Sequence, residues 1–230
     1  MIDVPLPRRA LAEFLGSAFL TATVIGSGIA AAQLSPGDTG LQLFENAAAT
    51  AAGLATFILM FGPISGAHFN PVVSLVDVAL GHRTRRDLLV YVPAQVAGCI
   101  VGAIVANAMF GLSAVSIATT HRATGPHLFA EVVATLGLLL LIFSLARTER
   151  SHLAPAAVGA YIGAAYFFTS STSFANPAID IGRAFSDTFA GIAPASVPAF
   201  VAAQLVGAVL ALGLIAVLYP TSARRLGLEA

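Results

Sequence analysis

The sequence predicts an all-α membrane protein with six transmembrane helices and two re-entrant half-helices, arranged as an inverted 3+3 repeat. Three observations carry that prediction. Of the 230 residues, 57% are hydrophobic and only 10% are charged, whereas a water-soluble domain carries about a quarter charged residues. Six apolar segments fill most of the chain, and each is near the roughly 20 residues that cross a bilayer. An Asn-Pro segment occurs twice, as Asn70-Pro71-Val72 and Asn176-Pro177-Ala178, at matching places in the two halves.

The apolar segments lie at about 10–32, 43–61, 88–110, 127–146, 153–169 and 195–218. The first follows Arg8 and Arg9, as a signal peptide would. It runs to about Ala32 without a convincing cleavage site and has a counterpart in the second half, so it reads as a retained span. All six are apolar nearly all round, as helices in lipid should be. Gly98 and Gly102, and again Gly159 and Gly163, stand in the GxxxG spacing that lets helix backbones approach closely.

All 11 basic residues are Arg, and the net charge is zero. Arg8 and Arg9 precede the first span, and Arg83, Arg85 and Arg86 follow the second. Arg147 and Arg150 follow the fourth, and Arg224 and Arg225 follow the sixth. With six spans these four groups share one face, which the positive-inside rule makes cytoplasmic; five or seven spans would scatter them. The expectation is a multi-pass membrane protein with both termini in the cytoplasm. Only Arg122 and Arg183 fall elsewhere. Single Cys99, in an apolar stretch, excludes an intrachain disulfide and reads as a packing residue. No metal-ligand spacing, phosphate loop or nucleophile–base pairing points to a cofactor or an enzyme, and no basic run is dense enough for nucleic acid.

The two halves repeat the same landmarks in order. Glu13 is matched by Glu131, Asn70 by Asn176, and Gln95 by Gln204, at offsets of 118, 106 and 109 residues. Residues 1–113 and 126–230 are therefore read as two repeats of one channel domain spanning 1–230. Because each repeat holds three spans, the second enters from the opposite face, which places a site between the halves near the midplane.

Asn is a strong helix N-cap, and Pro at the first helical position loses no hydrogen bond. Gly62 and Pro63 are expected to break the second helix, with Asn70 opening a half-membrane helix that runs to about Leu80. Asn176 opens another, to about Phe189. Entering from opposite faces, the two would meet at their positive ends, with the Asn amides offered to a passing oxygen. One such motif would read as a loop turn; two at equivalent places read as a pore.

Ser65-Gly66-Ala67-His68-Phe69-Asn70-Pro71-Val72 resembles the first signature of the aquaporin, or major intrinsic protein, family. Asn176-Pro177-Ala178 resembles the second, and Ala12-Glu13-Phe14-Leu15-Gly16 is similar to the family's opening helix. The likeness covers essentially the whole chain and implies a homotetramer with a pore in each protomer. It further implies a constriction formed by Thr50, Ala164, Ser173 and Ile179. Most members have Arg where this chain has Ile179, and water-selective members add a His and a bulky aromatic where Ala164 and Thr50 stand. A wide, weakly charged constriction without an aromatic is the expectation. Asp180 matches a carboxylate of the glycerol-conducting branch, and the set Thr50, Ala164 and Ile179 is similar to bacterial relatives that pass arsenite. The function implied is passive passage of small uncharged solutes: water, glycerol or neutral metalloid acids.

Glu13 and Glu131, acidic within apolar spans, have two roles open to them: a proton relay, or bracing the re-entrant loops by accepting their N–H groups. The second fits the repeat and is what the resemblance implies. Gln95 and Gln204 read as interhelical hydrogen-bonding groups and His68 as pore-lining. Arg183 is read as a local ion-pair partner of Asp180 and Asp187 at i−3 and i+4, with a swing into the pore as the alternative. His82, His121, His127 and His152 are placed at span ends or in loops. Three other functions stay in view: a water-selective channel with an atypical filter, a coupled secondary transporter using Glu13 and Glu131, and a closed structural protein.

Overall fold

A computed structural model describes residues 4–220. Within them lie eight helices: α1 (Leu6–Leu34), α2 (Thr39–Ser65), α3 (Pro71–Ala79), α4 (Arg85–Met109), α5 (Gly125–Arg147), α6 (Ala154–Phe168), α7 (Pro177–Arg183) and α8 (Val197–Leu218). The six expected spans are α1, α2, α4, α5, α6 and α8, and the two half-helices are α3 and α7. Local sequence explains the starts. Pro stands in the first turn of α1, α3, α5, α6, α7 and α8, where its missing N–H costs nothing. Thr84 and Asp87 form a reciprocal capping box at the start of α4.

Two boundaries differ from the sequence reading. Helix α2 continues through Pro63 and stops at Gly66, whose φ of 95° is left-handed, a backbone state that glycine adopts without strain. Helix α7 ends at Arg183 rather than near Phe189. Helix α6 has only 15 residues, about 22 Å at roughly 1.5 Å per residue, and is extended by a 3-10 turn at Ser151–Leu153. The other five spanning helices are each long and apolar enough to cross a membrane.

The halves pack by one rule. Gly98 and Gly102 set α4 directly on α1, because a Cβ at either position would strike the carbonyl of Phe14 or Ala18. In the second half, a Cβ at Gly207 of α8 would sit 2.7 Å from the Val132 carbonyl of α5. Such backbone-on-backbone contact is how helices associate where lipid removes the hydrophobic drive.

Arg9 pairs with Asp87 at 2.9 Å, joining the starts of α1 and α4. The His82 ring lies against Phe143 of α5, and Arg147 at the end of α5 donates to the Tyr219 carbonyl beyond α8. These contacts put the arginines around α1, α3, α4 and the end of α5 on one face, as the six-span reading requires. Arg224 and Arg225 lie outside the described residues.

Candidate functional site

Each re-entrant loop hangs from a buried glutamate. Glu13 accepts from the His68 N–H at 3.0 Å, the Phe69 N–H at 2.7 Å, the Ser65 hydroxyl at 2.6 Å and Gln95 Nε2 at 2.8 Å. Glu131 accepts from the Phe174 N–H at 2.9 Å, the Ala175 N–H at 2.8 Å and Gln204 Nε2 at 2.7 Å. An ionised carboxylate offers about four lone-pair sites, so these donors nearly fill it. Both glutamates are fully buried, and neither lines the large cavity described below.

The loops share a strained backbone as well. Ala67 and Phe69 have φ near 50°, and Ser173 and Ala175, at the same places before the second Asn, have φ of 51° and 46°. Left-handed non-glycine residues cost about 1–3 kcal/mol each and persist only where surrounding bonds hold them. Here the glutamates hold them.

At the centre the asparagines cap the half-helices and join them. Asn70 Oδ1 accepts from the Val72 N–H at 3.0 Å, and Asn176 Oδ1 from the Ala178 N–H at 3.0 Å. Asn70 Nδ2 donates to the Ala175 carbonyl at 2.7 Å, while Asn176 Nδ2 donates to the Phe69 carbonyl at 2.8 Å. A primary amide has two N–H donors. Each Asn therefore keeps one N–H beyond its cross-loop bond, and both line a cavity of about 630 Å³.

That cavity runs from His152 and Pro155, beside the end of α5, past His68 and Asp77 to Asn70 and Asn176. It continues to Thr50, Tyr166, Ser173, Ile179 and Arg183. Most of its remaining wall is apolar, including Val24, Leu54, Leu138 and Ile162. Few polar groups on an apolar wall is the usual make-up of a small-molecule passage.

Of the expected constriction residues, Thr50, Ser173 and Ile179 line the cavity and Ala164 does not. Ala164 is exposed on the outer face of α6. Beyond Ala154 and Pro155 at its start, the cavity-facing residues of that helix are Val158, Ile162 and Tyr166, spaced by four as one helix face requires; Ala164 stands two residues from the last pair, on the opposite side. Nor is the ring free of aromatics. Tyr166 donates its hydroxyl to Thr50 Oγ1 at 3.2 Å, and Phe174 lines the same end. The spacing of Val158, Ile162 and Tyr166 was the signal in the sequence that could have found Tyr166.

Arg183 also departs from expectation. Among the described residues it pairs with neither Asp180 nor Asp187. Its guanidinium carbon lies 3.4 Å from the centre of the Phe174 ring, its Nε donates to the Ala190 carbonyl, and it lines the cavity. Asp187 instead accepts from Thr119. Asp180 is fully buried, outside the cavity lining, and among the described residues neither of its oxygens accepts a hydrogen bond within bonding geometry.

The remaining candidates fall in place around this passage. Val72 and Ala178 are buried in apolar packing behind it, and Pro71 and Pro177 open the half-helices. His68 bonds Ser74 at 2.9 Å and approaches Asp77 at 3.3 Å, Asp77 also meets His82, and His127 contacts the Arg122 carbonyl.

Six membrane-crossing helices, two half-helices joined through paired asparagines, and a cavity running past both define a membrane channel. The model of the major intrinsic protein family matches residues 2–189. The chain is 48% identical over 215 residues to the aquaglyceroporin AqpS of Rhizobium meliloti (strain 1021), which covers 93% of this chain and 91% of that protein. It is 32% identical over 192 residues to Aquaporin NIP1-3 of Oryza sativa subsp. japonica, covering 80% of this chain and 65% of that one. Its fold matches the X-ray structure of the aquaglyceroporin from Plasmodium falciparum with a TM-score of 0.72 at 21% identity, covering 92% of this chain and 96% of that chain. The chain belongs to the major intrinsic protein family and is an integral membrane protein.

Proposed function

We propose that the protein is a passive channel of a bacterial inner membrane, with its N-terminus cytoplasmic, that passes water, glycerol and neutral trihydroxy acids such as arsenite. Repeats 1–113 and 126–230 together form the one pore of a protomer, and four protomers assemble as a homotetramer. The observation that carries this reading is the pair Asn70 and Asn176, each with an amide N–H left over beside one cavity. A neutral hydroxylated solute exchanges its water for those donors, while a cation gains nothing from them. Thr50, Ser173 and Ile179 form the outer constriction in this reading, His68 lines the inner half, and Glu13, Glu131, Gln95 and Gln204 support the loops.

Tyr166 and Phe174 at the outer end favour one second reading, a narrower and water-selective pore. Reconstitution in liposomes separates the two. Shrinkage in sucrose reports water flux, and an inward glycerol gradient, with arsenite uptake alongside, reports solute flux. Glycerol or arsenite uptake well above empty liposomes supports the solute channel. Fast water flux with neither leaves the water-selective reading. Uptake that depends on a proton or sodium gradient would turn the assignment to a coupled transporter, and no flux at all to a closed structural protein.

A further inference from the structure

The position where most relatives are expected to carry a filter arginine is Ile179, yet the cavity is not without a guanidinium. Arg183 stands four residues on, hence on the same face of α7 as Ile179, and both line the cavity. Helix side chains lean toward the N-terminus of their helix. The side chain of Arg183 is thereby carried back over the turn that bears Ile179, toward the asparagines and not away from them.

Its position is fixed by two groups. The guanidinium carbon lies over the Phe174 ring, 3.4 Å from its centre, within reach of a strong cation–π contact. Phe174 itself is held at its N–H by Glu131 and edge-on by Phe200 at 5.2 Å. The second group is the Ala190 carbonyl, which accepts from Nε. Beyond Nε, no hydrogen bond of Arg183 to a described residue is found, and no carboxylate of a described residue forms an ion pair with it. Yet the residue is only 3% exposed. Arg122, on the same aromatic ring at 5.5 Å, spends its Nε and Nη2 on the carbonyls of Gly191 and Phe189. Arg183 is thus a nearly buried cation whose terminal N–H groups are left to whatever occupies the cavity. A buried charge without a counter-charge is costly, and inside a membrane such a residue marks a solute path.

We infer that Arg183 is the specificity-determining cation of the outer mouth, replacing from one turn further along α7 the guanidinium that position 179 lacks. It donates to the hydroxyl oxygens of a neutral solute and repels cations entering from that side. The inference rests on the channel reading above. It adds charge selectivity, which the asparagines and half-helices would otherwise supply alone.

The test uses the full-length protein in liposomes, with glycerol uptake followed by light scattering and sodium entry by a trapped sodium-sensitive dye. The native protein is expected to take up glycerol while admitting sodium no faster than empty liposomes. Arg183→Met keeps the aliphatic stem and removes the charge; it should raise sodium entry at least about tenfold, because the cation barrier at this ring is lost, while glycerol still enters at an altered rate. Arg183→Lys should stay tight to sodium, and the double variant Ile179→Arg, Arg183→Met, which moves the charge by one turn, should recover tightness. An Arg183→Met channel that passes glycerol and stays as sodium-tight as the native protein overturns the inference. So does a native protein that itself admits sodium, a result that needs no variant to fold. Native protein that passes neither water nor glycerol would instead remove the channel reading itself.

Discussion

Asn70 and Asn176 each hydrogen-bond the backbone of the other's loop, at 2.7 Å to the Ala175 carbonyl and 2.8 Å to the Phe69 carbonyl. The two halves of the chain are therefore joined at the point where both half-helices begin. Replacing Asn70 by Ala removes a helix cap, worth about 1 kcal/mol, and orphans a buried carbonyl at about 1–3 kcal/mol. Asn176→Ala should cost the same, because the relationship is reciprocal. The double variant should cost clearly less than the two singles together, since groups in one network are not additive. Thermal unfolding of the three variants in detergent checks this, and strict additivity would mean that the loops are held independently.

The glutamates make a sharper case. Glu13 and Glu131 face only donors. Changing either to Gln keeps the shape but sets an amide N–H against other N–H groups. A loss of about 3 kcal/mol is expected for Glu131→Gln, from charged hydrogen bonds worth about 1.5–3 kcal/mol each, partly remade by the remaining oxygen. The melting temperature of the variant against native protein measures it. Glycerol uptake by whatever Glu131→Gln protein folds should be as indifferent to a proton gradient as native uptake. A gradient dependence present in native protein and absent in the variant would revive the coupled-transporter reading.

Glycines at the helix contacts differ from glycines elsewhere in a way that one substitution exposes. A methyl at Gly98 would enter the Phe14 carbonyl, whereas nothing stands within 4 Å of a Cβ at Gly213. Gly98→Ala should therefore destabilise by about 1–3 kcal/mol through overpacking. Gly213→Ala should be neutral or stabilise by up to about 1 kcal/mol, the helix preference of Ala over Gly. Unfolding of the two variants side by side decides the matter, and equal behaviour would deny the close packing of α4 on α1.

Much of this architecture was legible in the sequence because it rests on residues with narrow physical uses. Asn followed by Pro at the head of a short apolar run, and Glu inside a span, admit few roles, and their repetition narrowed those further. What escaped was governed by helix phase and side-chain direction. Ala164 and Tyr166 are two residues apart on α6, so an error of two positions exchanges the outer face for the cavity wall. The side chain of Arg183 had two carboxylates at helical spacing, and a local ion pair was the natural expectation; the aromatic face of Phe174, brought by a loop, was not visible from spacing. Likewise α7 ends at Arg183 through the fold of the segment after it, although the following residues include good helix formers.

The exchange of Ala164 for Tyr166 gives a direct test. Ala164→Phe adds bulk on the outer face of α6 and should leave glycerol uptake per protomer within about twofold, as surface substitutions away from a site do. Tyr166→Ala opens the wall opposite Thr50 and should raise uptake of glycerol relative to water. Stopped-flow light scattering on both variants reads the two ratios. A collapse of glycerol uptake in Ala164→Phe with no effect of Tyr166→Ala would restore the register expected from the sequence.

Ile179→Arg brings the features of the outer mouth together. The new side chain would lie one turn from Arg183 with both on the cavity face of α7. Like charges at that spacing repel weakly in water, and more strongly where the dielectric is low. Arg183 has no carboxylate partner among the described residues to absorb the added charge. Held apart by that repulsion, the two guanidiniums cannot stack aside and instead crowd the passage, so glycerol uptake should fall at least about tenfold, the change that some 1.4 kcal/mol of added barrier produces. Bulk alone could also narrow the mouth, so Ile179→Met is the control, being nearly as long but uncharged. If Met lowers uptake as far as Arg does, the mouth is limited by size and the charge of Arg183 adds nothing to solute passage. If only Arg lowers it, the cation already present at this ring is what the second one opposes.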